Sequence, residues 1–332
     1  MNSFGRIFRV HIFGESHGES VGIVIDGCPA GLPLSAEDML PDLERRKGGK
    51  QKGTTPRQEA DYPFIKSGVF NGKTTGAPIM IFFENNNTRS VDYEKQRSIP
   101  RPGHADMVAH QKYGGNEDYR GGGHFSARLT TGLVAAGAIA KKLMPGVTIE
   151  SAVTEIGGET DLEKGLQKAI DAKDSVGGLV ECRVNGLPVG LGEPFFDSAE
   201  SQIAHIAFAI PAVKGVEFGS GFAAAKMFGS QHNDSIENME GKTSTNHAGG
   251  IVGGISNGNE LVFRIAIKPT ASTPKEQSSL NWENGQVEKF SIKGRHDLCV
   301  ALRAPVILEA AAAIALVDLY LLEQHSKRII SR

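Results

Sequence analysis

Two alanine-rich segments of this 332-residue chain constrain its fold more than any other feature. One runs SARLTTGLVAAGAIAKKLM from Ser126, and the other runs VILEAAAAIALVDLYLLEQ from Val306. Small residues on successive turns of the first would let a helix pack very closely against a neighbour. Each segment follows a polar, glycine-marked loop that carries a histidine and an arginine. We therefore predict two core helices, paired at the centre of a duplicated unit.

Between these helices, the patterns indicate strands more often than helices. Runs rich in Val, Ile and Phe, punctuated by glycine, predict strands within residues 8–26, 67–70, 79–83 and 147–189, the last around a short helix at 161–172. The strands follow one another as hairpins rather than alternating strictly with helices, which favours an α+β fold over a doubly wound sheet. No linker interrupts the composition, so one domain is expected over residues 1–332, with an internal pseudo-duplication.

Two further local patterns give testable expectations. Ser35 and Asp38 have the spacing of a helix-capping box, in a segment that Pro41 is expected to interrupt or kink. The stretch 84–119 is polar with little apolar periodicity, and it is therefore predicted to be a long functional loop.

Composition narrows the class of protein. The formal net charge is -2 and 39% of residues are hydrophobic, which indicates a soluble globular protein and argues against nucleic-acid binding. The apolar stretch 304–322 contains Glu309 and Asp318, so a buried helix is favoured over a membrane span. The N-terminal residues lack an uninterrupted signal-peptide core. A cytoplasmic location with reduced thiols is expected, because three cysteines occur far apart and without metal-ligand spacing: Cys28, Cys182 and Cys299.

Three glycine-bordered segments each contain a histidine: GESHG at 14–18, RPGHAD at 101–106 and GRHDLC at 294–299. A histidine on such a loop can reach a ligand and titrates near neutrality, so each could act as a general acid. Basic side chains form a second theme, because guanidinium groups bind phosphate and carboxylate bidentately. The candidates for an anion site are Arg45, Arg46, Lys50 and Lys52 on one glycine-rich loop, and Arg101, Arg128 and Arg303 elsewhere.

These residues are compatible with two alternative functions. A metal-dependent phosphohydrolase would use His104, Asp106 and His110 with other histidines, and it would bind a divalent metal tightly. A non-enzymatic module that binds anions or RNA would use residues 45–57, with binding that weakens steeply as salt rises. The near-neutral charge and the scarcity of aromatic residues disfavour the second alternative.

Six motifs together resemble the chorismate synthase family. FGESHG, RPGHAD, YRGGGHFSAR, NHAGGIVGGIS, KPTAS and GRHDLC occur in that family's order between residues 13 and 299. The resemblance implies a duplicated β-α-β sandwich, with central helices between antiparallel sheets, assembled as a homotetramer. It also implies the elimination of phosphate from 5-enolpyruvylshikimate 3-phosphate (EPSP) to give chorismate, the last common step of the shikimate pathway, with reduced FMN as cofactor.

The resemblance assigns roles to individual residues. His17 would protonate the departing phosphate, His104 would protonate or polarise the flavin, and Asp297, relayed through Ser16, would help to accept a proton. Substrate anions would be bound by Arg45, Arg46, Arg101 and Arg128. FMN would contact His124, Phe125, Ser126, Ala212, Gly253, Lys268, Pro269, Thr270, Ala271, Ser272 and Arg295.

Arg46 also matches a position at which the family binds NADPH, which is expected only if the enzyme reduces its own flavin. Two departures change these expectations. Many family members have Arg-Ser where this chain has His124-Phe125, which alters the flavin contact there. Lys52 stands where others often have Arg, which keeps the charge but loses a bidentate fork.

Overall fold

A computed structural model describes residues 1–49, 52–55, 59–87, 97–292 and 296–325. Strands of the N-terminal part form one antiparallel sheet: Ser3–Phe4 (β1), Arg9–Gly14 (β2), Ser20–Asp26 (β3), Phe64–Ile65 (β4) and Ile79–Glu84 (β7). Their order across the sheet is β1, β2, β3, β7, β4. Val69–Phe70 (β5) and Lys73–Thr74 (β6) pair as a separate hairpin between β4 and β7 in the chain.

The second antiparallel sheet is built from Thr148–Ile156 (β8), Gly178–Asn185 (β9), Val213–Phe218 (β10) and Leu261–Ile267 (β13). Its order is β10, β13, β9, β8. Two further hairpins join Ile251–Val252 (β11) to Ile255–Ser256 (β12), and Gln277–Asn281 (β14) to Gln286–Phe290 (β15).

The described α-helices are Leu40–Arg46 (α1), Asp106–Tyr113 (α2), Thr130–Lys142 (α3), Leu162–Ala172 (α4), Ala199–Ala207 (α5), Gly229–His232 (α6) and Ala304–His325 (α7). Helix α3 packs on β3 and β7 of the first sheet, whereas α7 packs on β8 and β9 of the second. The two helices also pack on each other, so they form the layer between the sheets. This arrangement confirms the predicted α+β fold with central helices between antiparallel sheets.

The small residues of α3 allow its close contact with α7. A Cβ atom placed on Gly137 would lie 2.3 Å from the Cβ of Ala310, far inside van der Waals contact. Any larger residue at position 137 would therefore push the helices apart. The pairing of the two alanine-rich helices is confirmed, whereas the internal duplication stays a prediction.

Helix α7 belongs to the core despite its composition. The segment Val300–His325 is long and apolar enough to cross a membrane, with a mean hydropathy of 2.0, but 78% of its most apolar stretch is buried inside the protein. Two of its acidic residues, Glu309 and Asp318, are buried and hydrogen-bonded to other parts of the chain. The predicted buried helix is confirmed.

Of the other local predictions, some are confirmed and one is partly wrong. The hairpin within residues 8–26 and the strand–helix–strand unit within 147–189 are confirmed. Pro41 lies in the first turn of α1, where it is tolerated, and a short 3-10 turn precedes the helix. The prediction of a long loop over 84–119 is wrong for 106–113, which forms α2. That helix has little apolar periodicity because Ala109 is its only buried residue.

Candidate active site

A cavity of about 830 Å³ lies among segments that come from both halves of the chain. Its walls include the β1–β2 region, the turn before α3, the chain that leaves β13 and the turn before α7. The volume is within the range of roughly 300–1,000 Å³ that small-molecule sites occupy. Polar and basic side chains line part of it, and apolar residues such as Ile12, Leu133 and Ile206 line another part.

Two buried arginines share one carboxylate in the cavity wall. Arg46, the last residue of α1, and Arg128, in the 3-10 turn before α3, both donate to Asp61. Arg46 also donates from Nε to Thr130 Oγ1 at 3.0 Å and from Nη2 to the Ala127 carbonyl at 2.8 Å. These contacts hold both guanidinium groups in place before any ligand arrives.

Positive charge exceeds negative charge around Arg46. Its pKa falls to about 9, first because burial disfavours the cation and then because Arg303 and Arg128 repel it; Asp61 offsets only part of this. A bound anion would relieve both effects, since it would supply a counter-charge within the same low-dielectric space. The wall is therefore suited to a phosphate or carboxylate group.

A second arginine–histidine cluster comes from the RPGHAD segment. Arg101 donates to both oxygens of Asp106, at 2.7 and 2.8 Å, and His104 Nδ1 lies 2.5 Å from the same carboxylate. Burial opposes ionisation of Asp106, but hydrogen bonds from Arg101 and His104 outweigh it, so its pKa lies below the usual range. The Arg101 side chain also donates to Ser272 Oγ at 3.1 Å, which joins this cluster to the KPTAS turn.

Three consecutive glycines bring the two predicted catalytic histidines to one turn. A Cβ on Gly121 would lie 2.2 Å from His17 Cε1, and a Cβ on Gly122 would lie 3.1 Å from His104 Cε1. Both glycines have positive φ, +60° and +82°, which other residues rarely adopt. The next glycine, Gly123, accepts a hydrogen bond from the backbone N–H of Ser16 at 3.1 Å. The structure thus packs His17 and His104 against adjacent residues of a single turn.

The loop after α1 is tied to the start of α7. The backbone N–H of Thr55 donates to Asp297 at 2.8 Å, and Arg303 bridges Asp297 and the Arg46 carbonyl at 3.1 and 3.0 Å. Within the described ranges no hydrogen bond joins Asp297 to Ser16, so the relay between them stays a prediction. Lys50 of this loop lies outside the described residues, and Lys52 donates to Gln167 at 3.0 Å.

The end of the second sheet supplies another wall. Lys268 follows β13 directly, and its backbone N–H donates at 2.9 Å to the carbonyl of Ala212, which has a positive φ of 73°. Burial, with repulsion from Lys214, lowers the pKa of the Lys268 ammonium. The cavity is lined here by four of the five predicted residues of this turn, Lys268, Thr270, Ala271 and Ser272.

Several predicted ligand contacts lie elsewhere. Arg45 points away from the cavity toward Glu309, and Gly253 lies in the exposed turn between β11 and β12. Pro269 is outside the cavity wall as well, and Arg295 lies outside the described residues. His124 lines the cavity, but its ring nitrogens contact the carbonyl oxygen of Gly14 at 2.8 Å and Asn2 Oδ1 at 3.2 Å. Phe125 and Ser126 line the cavity beside it.

Asp61 was not singled out from the sequence. It has no local sequence signal, because its role depends on Arg46 and Arg128 from distant segments. His296, the histidine of the GRHDLC segment, was predicted as a possible general acid, and it lines the cavity. Its pKa falls to about 4 because it is buried and near Arg101, with Asp297 opposing the shift. The imidazole therefore faces the cavity in its neutral form.

The residues considered for a metal site all line a second cavity of about 480 Å³, but each is held by other partners. His110 stacks on Trp282 with ring centroids 4.5 Å apart and lies 3.2 Å from Glu117. Asp106 is instead held by Arg101 and His104. Among the residues that the structure describes, no group of three or more His, Cys, Asp or Glu side chains could hold a metal ion.

Comparison with known proteins identifies the family. The family model for chorismate synthase matches residues 8–321. A chorismate synthase from Chitinophaga pinensis is 70% identical over 330 residues and covers 99% of both chains. Another, from Dehalococcoides mccartyi, is 44% identical over 362 residues and covers 100% of both. A crystal structure of chorismate synthase has a TM-score of 0.73 and 29% identity, and the match covers 96% of this chain and 93% of that one. This chain belongs to the chorismate synthase family.

Proposed function

We propose that this enzyme catalyses the 1,4-elimination of phosphate from EPSP to give chorismate, and that it requires reduced FMN. As a member of the family, the chain is a lyase of the shikimate pathway that serves aromatic amino-acid biosynthesis. The observation that carries the proposal for the substrate is the cavity wall with Arg46, Arg101 and Arg128, each at least nine-tenths buried. Buried guanidinium groups of this kind favour a ligand with several anionic groups.

The residues present fit FMN. Thr270 Oγ1 in the cavity wall is buried and has no hydrogen-bond partner within the described part of the chain, so it is available to a ligand oxygen. Lys268 and the backbone of Ala271 and Ser272 would hold the phosphate end, beside the apolar wall that would contact the flavin rings. When bound, reduced FMN supplies electron density to the reaction centre as phosphate leaves. NADPH is needed only if the enzyme reduces this flavin itself, in which case Arg46 is its candidate contact.

The two histidines have distinct surroundings that fit distinct roles. His17 is 7% exposed and packs against Gly121, and we infer that it donates a proton to the departing phosphate. His104 Nδ1 lies 2.5 Å from Asp106 Oδ1 and 3.0 Å from Arg101 Nη2, so its ring is held at the cavity wall. We infer that this imidazole protonates or polarises the flavin. Asp297, fixed by Thr55 and Arg303, is the candidate acceptor for the substrate proton.

A homotetramer in the cytoplasm is part of the proposal. Several large apolar side chains are exposed on the single chain, which is typical of surfaces that are buried in an assembly: Phe195, Phe196, Phe222, Phe228 and Met239. Gly253 lies on a hairpin in the same part of the chain as the last three. It could reach a cofactor only if a neighbouring copy presented it. Light scattering after gel filtration would measure the assembly.

The experiment that tests the function is anaerobic turnover of EPSP with chemically reduced FMN, and with oxidised FMN in parallel. Release of chorismate and phosphate only with reduced FMN is the expected result. The variants His17→Ala and His104→Ala should each lower kcat by about 100-fold or more while circular dichroism stays unchanged. Turnover without flavin, or near-normal turnover in both variants, would refute the assigned chemistry.

A further inference from the structure

Glu309 is a buried carboxylate at the crossing of the two central helices. It is 2% exposed, and it precedes Ala310, the residue against which Gly137 packs. The carboxylate accepts two hydrogen bonds from Arg45, at 2.6 and 2.7 Å, and one from Lys141 at 3.0 Å. The backbone N–H of Ser151 on β8 donates a further one at 3.1 Å. Three elements, α1, α3 and β8, therefore converge on this single side chain of α7.

Helix α1 is the element whose position this cluster decides. Arg45 and Arg46 are consecutive, so their side chains leave the helix about 100° apart. Arg45 points to α7, where Glu309 binds its guanidinium, and Arg46 points into the cavity. The rotation of α1 about its axis is thus restrained on one side by the Arg45–Glu309 pair, together with the Lys141–Asp42 pair at 2.7 Å. On the other side, that rotation decides where the Arg46 guanidinium lies.

The same helix is held a second time at its end. The carbonyl of Arg46 accepts a hydrogen bond from Arg303, which stands at the start of α7. Arg303 and Glu309 both belong to the segment that forms the second central helix. The position of α7 therefore influences the cavity through α1. The segment contacts α1 at two points six residues apart in sequence, Arg303 and Glu309.

We propose that Glu309 is a positioning residue, which through Arg45 holds Arg46 at the ligand cavity, and that Arg45 does not itself contact the ligand. The inference rests on the proposed function in one respect, because it takes Arg46 to bind an anionic group of the substrate or cofactor. It differs from the expectation raised by the sequence, in which Arg45 was a substrate contact. The bidentate pair directs the Arg45 guanidinium to Glu309, and Arg45 is not among the residues that line the cavity.

The test compares Arg45→Met, Arg45→Lys and Glu309→Gln with a matched control, Glu181→Gln. Glu181 accepts from Arg264 at 2.8 Å in the second sheet and its side chain is 16% exposed, but it does not line the cavity. The first readout is amide hydrogen exchange of residues 40–46 without ligand. Arg45→Met and Glu309→Gln are expected to speed exchange there by about tenfold or more, and Glu181→Gln is expected to leave it unchanged.

The second readout is EPSP affinity by calorimetry, with kcat and KM from anaerobic turnover. Arg45→Met and Glu309→Gln should each raise Kd and KM by about tenfold while kcat changes less than threefold, because the chemical groups remain. The double variant should be no worse than Glu309→Gln alone, since Glu309→Gln already disrupts the contact with Arg45 as well as the contact with Lys141. Arg45→Lys should recover part of the affinity.

Three outcomes would overturn the inference: unchanged exchange in residues 40–46, additive losses in the double variant, or equal losses in Glu181→Gln. If Glu309→Gln does not fold, Arg45→Met decides, since the Arg45 side chain is 48% exposed and tolerates replacement. If the unaltered enzyme fails to bind EPSP, the proposed function fails, whereas the exchange readout still decides whether Glu309 holds α1.

Discussion

Replacing Gly121 by alanine should disable the site more than it destabilises the fold. The new Cβ would lie 2.2 Å from His17 Cε1 and 2.3 Å from its Nδ1. Because carbon atoms pack at about 3.5–4.0 Å, the ring or the turn has to move by more than about 1 Å. A displacement of about 1 Å at a catalytic group costs roughly 100-fold in rate, which corresponds to about 2.7 kcal/mol of activation free energy.

The backbone adds a separate and smaller cost. Gly121 has a φ of +60°, and an alanine held in that region loses about 1–2 kcal/mol of stability. Gly72→Ala is the matched control, because Gly72 has a φ of +71° and no atom lies within 4 Å of its added Cβ. The control should lose similar stability through its backbone and retain full activity.

The assay is kcat for anaerobic phosphate release, with the free energy of unfolding from urea titration. Gly121→Ala is expected to fall about 100-fold in kcat, whereas Gly72→Ala stays within twofold of the unaltered enzyme. Turnover of Gly121→Ala within threefold of normal would show that His17 tolerates the displacement, and the argument that this glycine sets the histidine position would be wrong.

Three other predictions concern buried ionisable side chains. Asp61→Asn leaves Arg46 and Arg128 without their shared carboxylate, so the free energy of unfolding from urea titration should fall by about 3–5 kcal/mol, and a loss under 1 kcal/mol would contradict this. His296 has a folded pKa of about 4 against 6.5 when unfolded, so its neutral form stabilises the fold above pH 6.5 and this contribution is lost as pH falls toward 4. The free energy of unfolding of the unaltered protein should therefore fall over that pH window relative to that of His296→Asn. Parallel plots of this free energy against pH for the two proteins would exclude the shift. Asp318→Ala removes a carboxylate that accepts hydrogen bonds from three backbone N–H groups, so the free energy of unfolding from urea titration should fall by about 2–4 kcal/mol. An unchanged free energy of unfolding would show that water replaces these contacts.

Local sequence patterns were sufficient to predict those structural features whose physical cause lies in neighbouring residues. Alanine and glycine spacing predicted the close pair of helices that Gly137 and Ala310 form, because small side chains limit the distance between helix axes. Glycine-bordered histidines predicted His17 and His104 as candidate catalytic groups, since backbone freedom and imidazole chemistry are both visible in single residues. By contrast, a helix with one buried residue, such as α2, leaves almost no periodicity to detect.

By itself, the sequence determined the class of fold, the paired helices and the kinds of side chain that the site contains. Only the tertiary structure decided which of those side chains meet. Arg45 and Arg46 look alike in the sequence, yet one binds Glu309 and the other enters the cavity, because the rotation of α1 separates neighbours by about 100°. Asp61 acquires its role only when distant arginines fold around it. Contacts between residues far apart in the chain depend on packing of the whole core, and no local pattern encodes that packing.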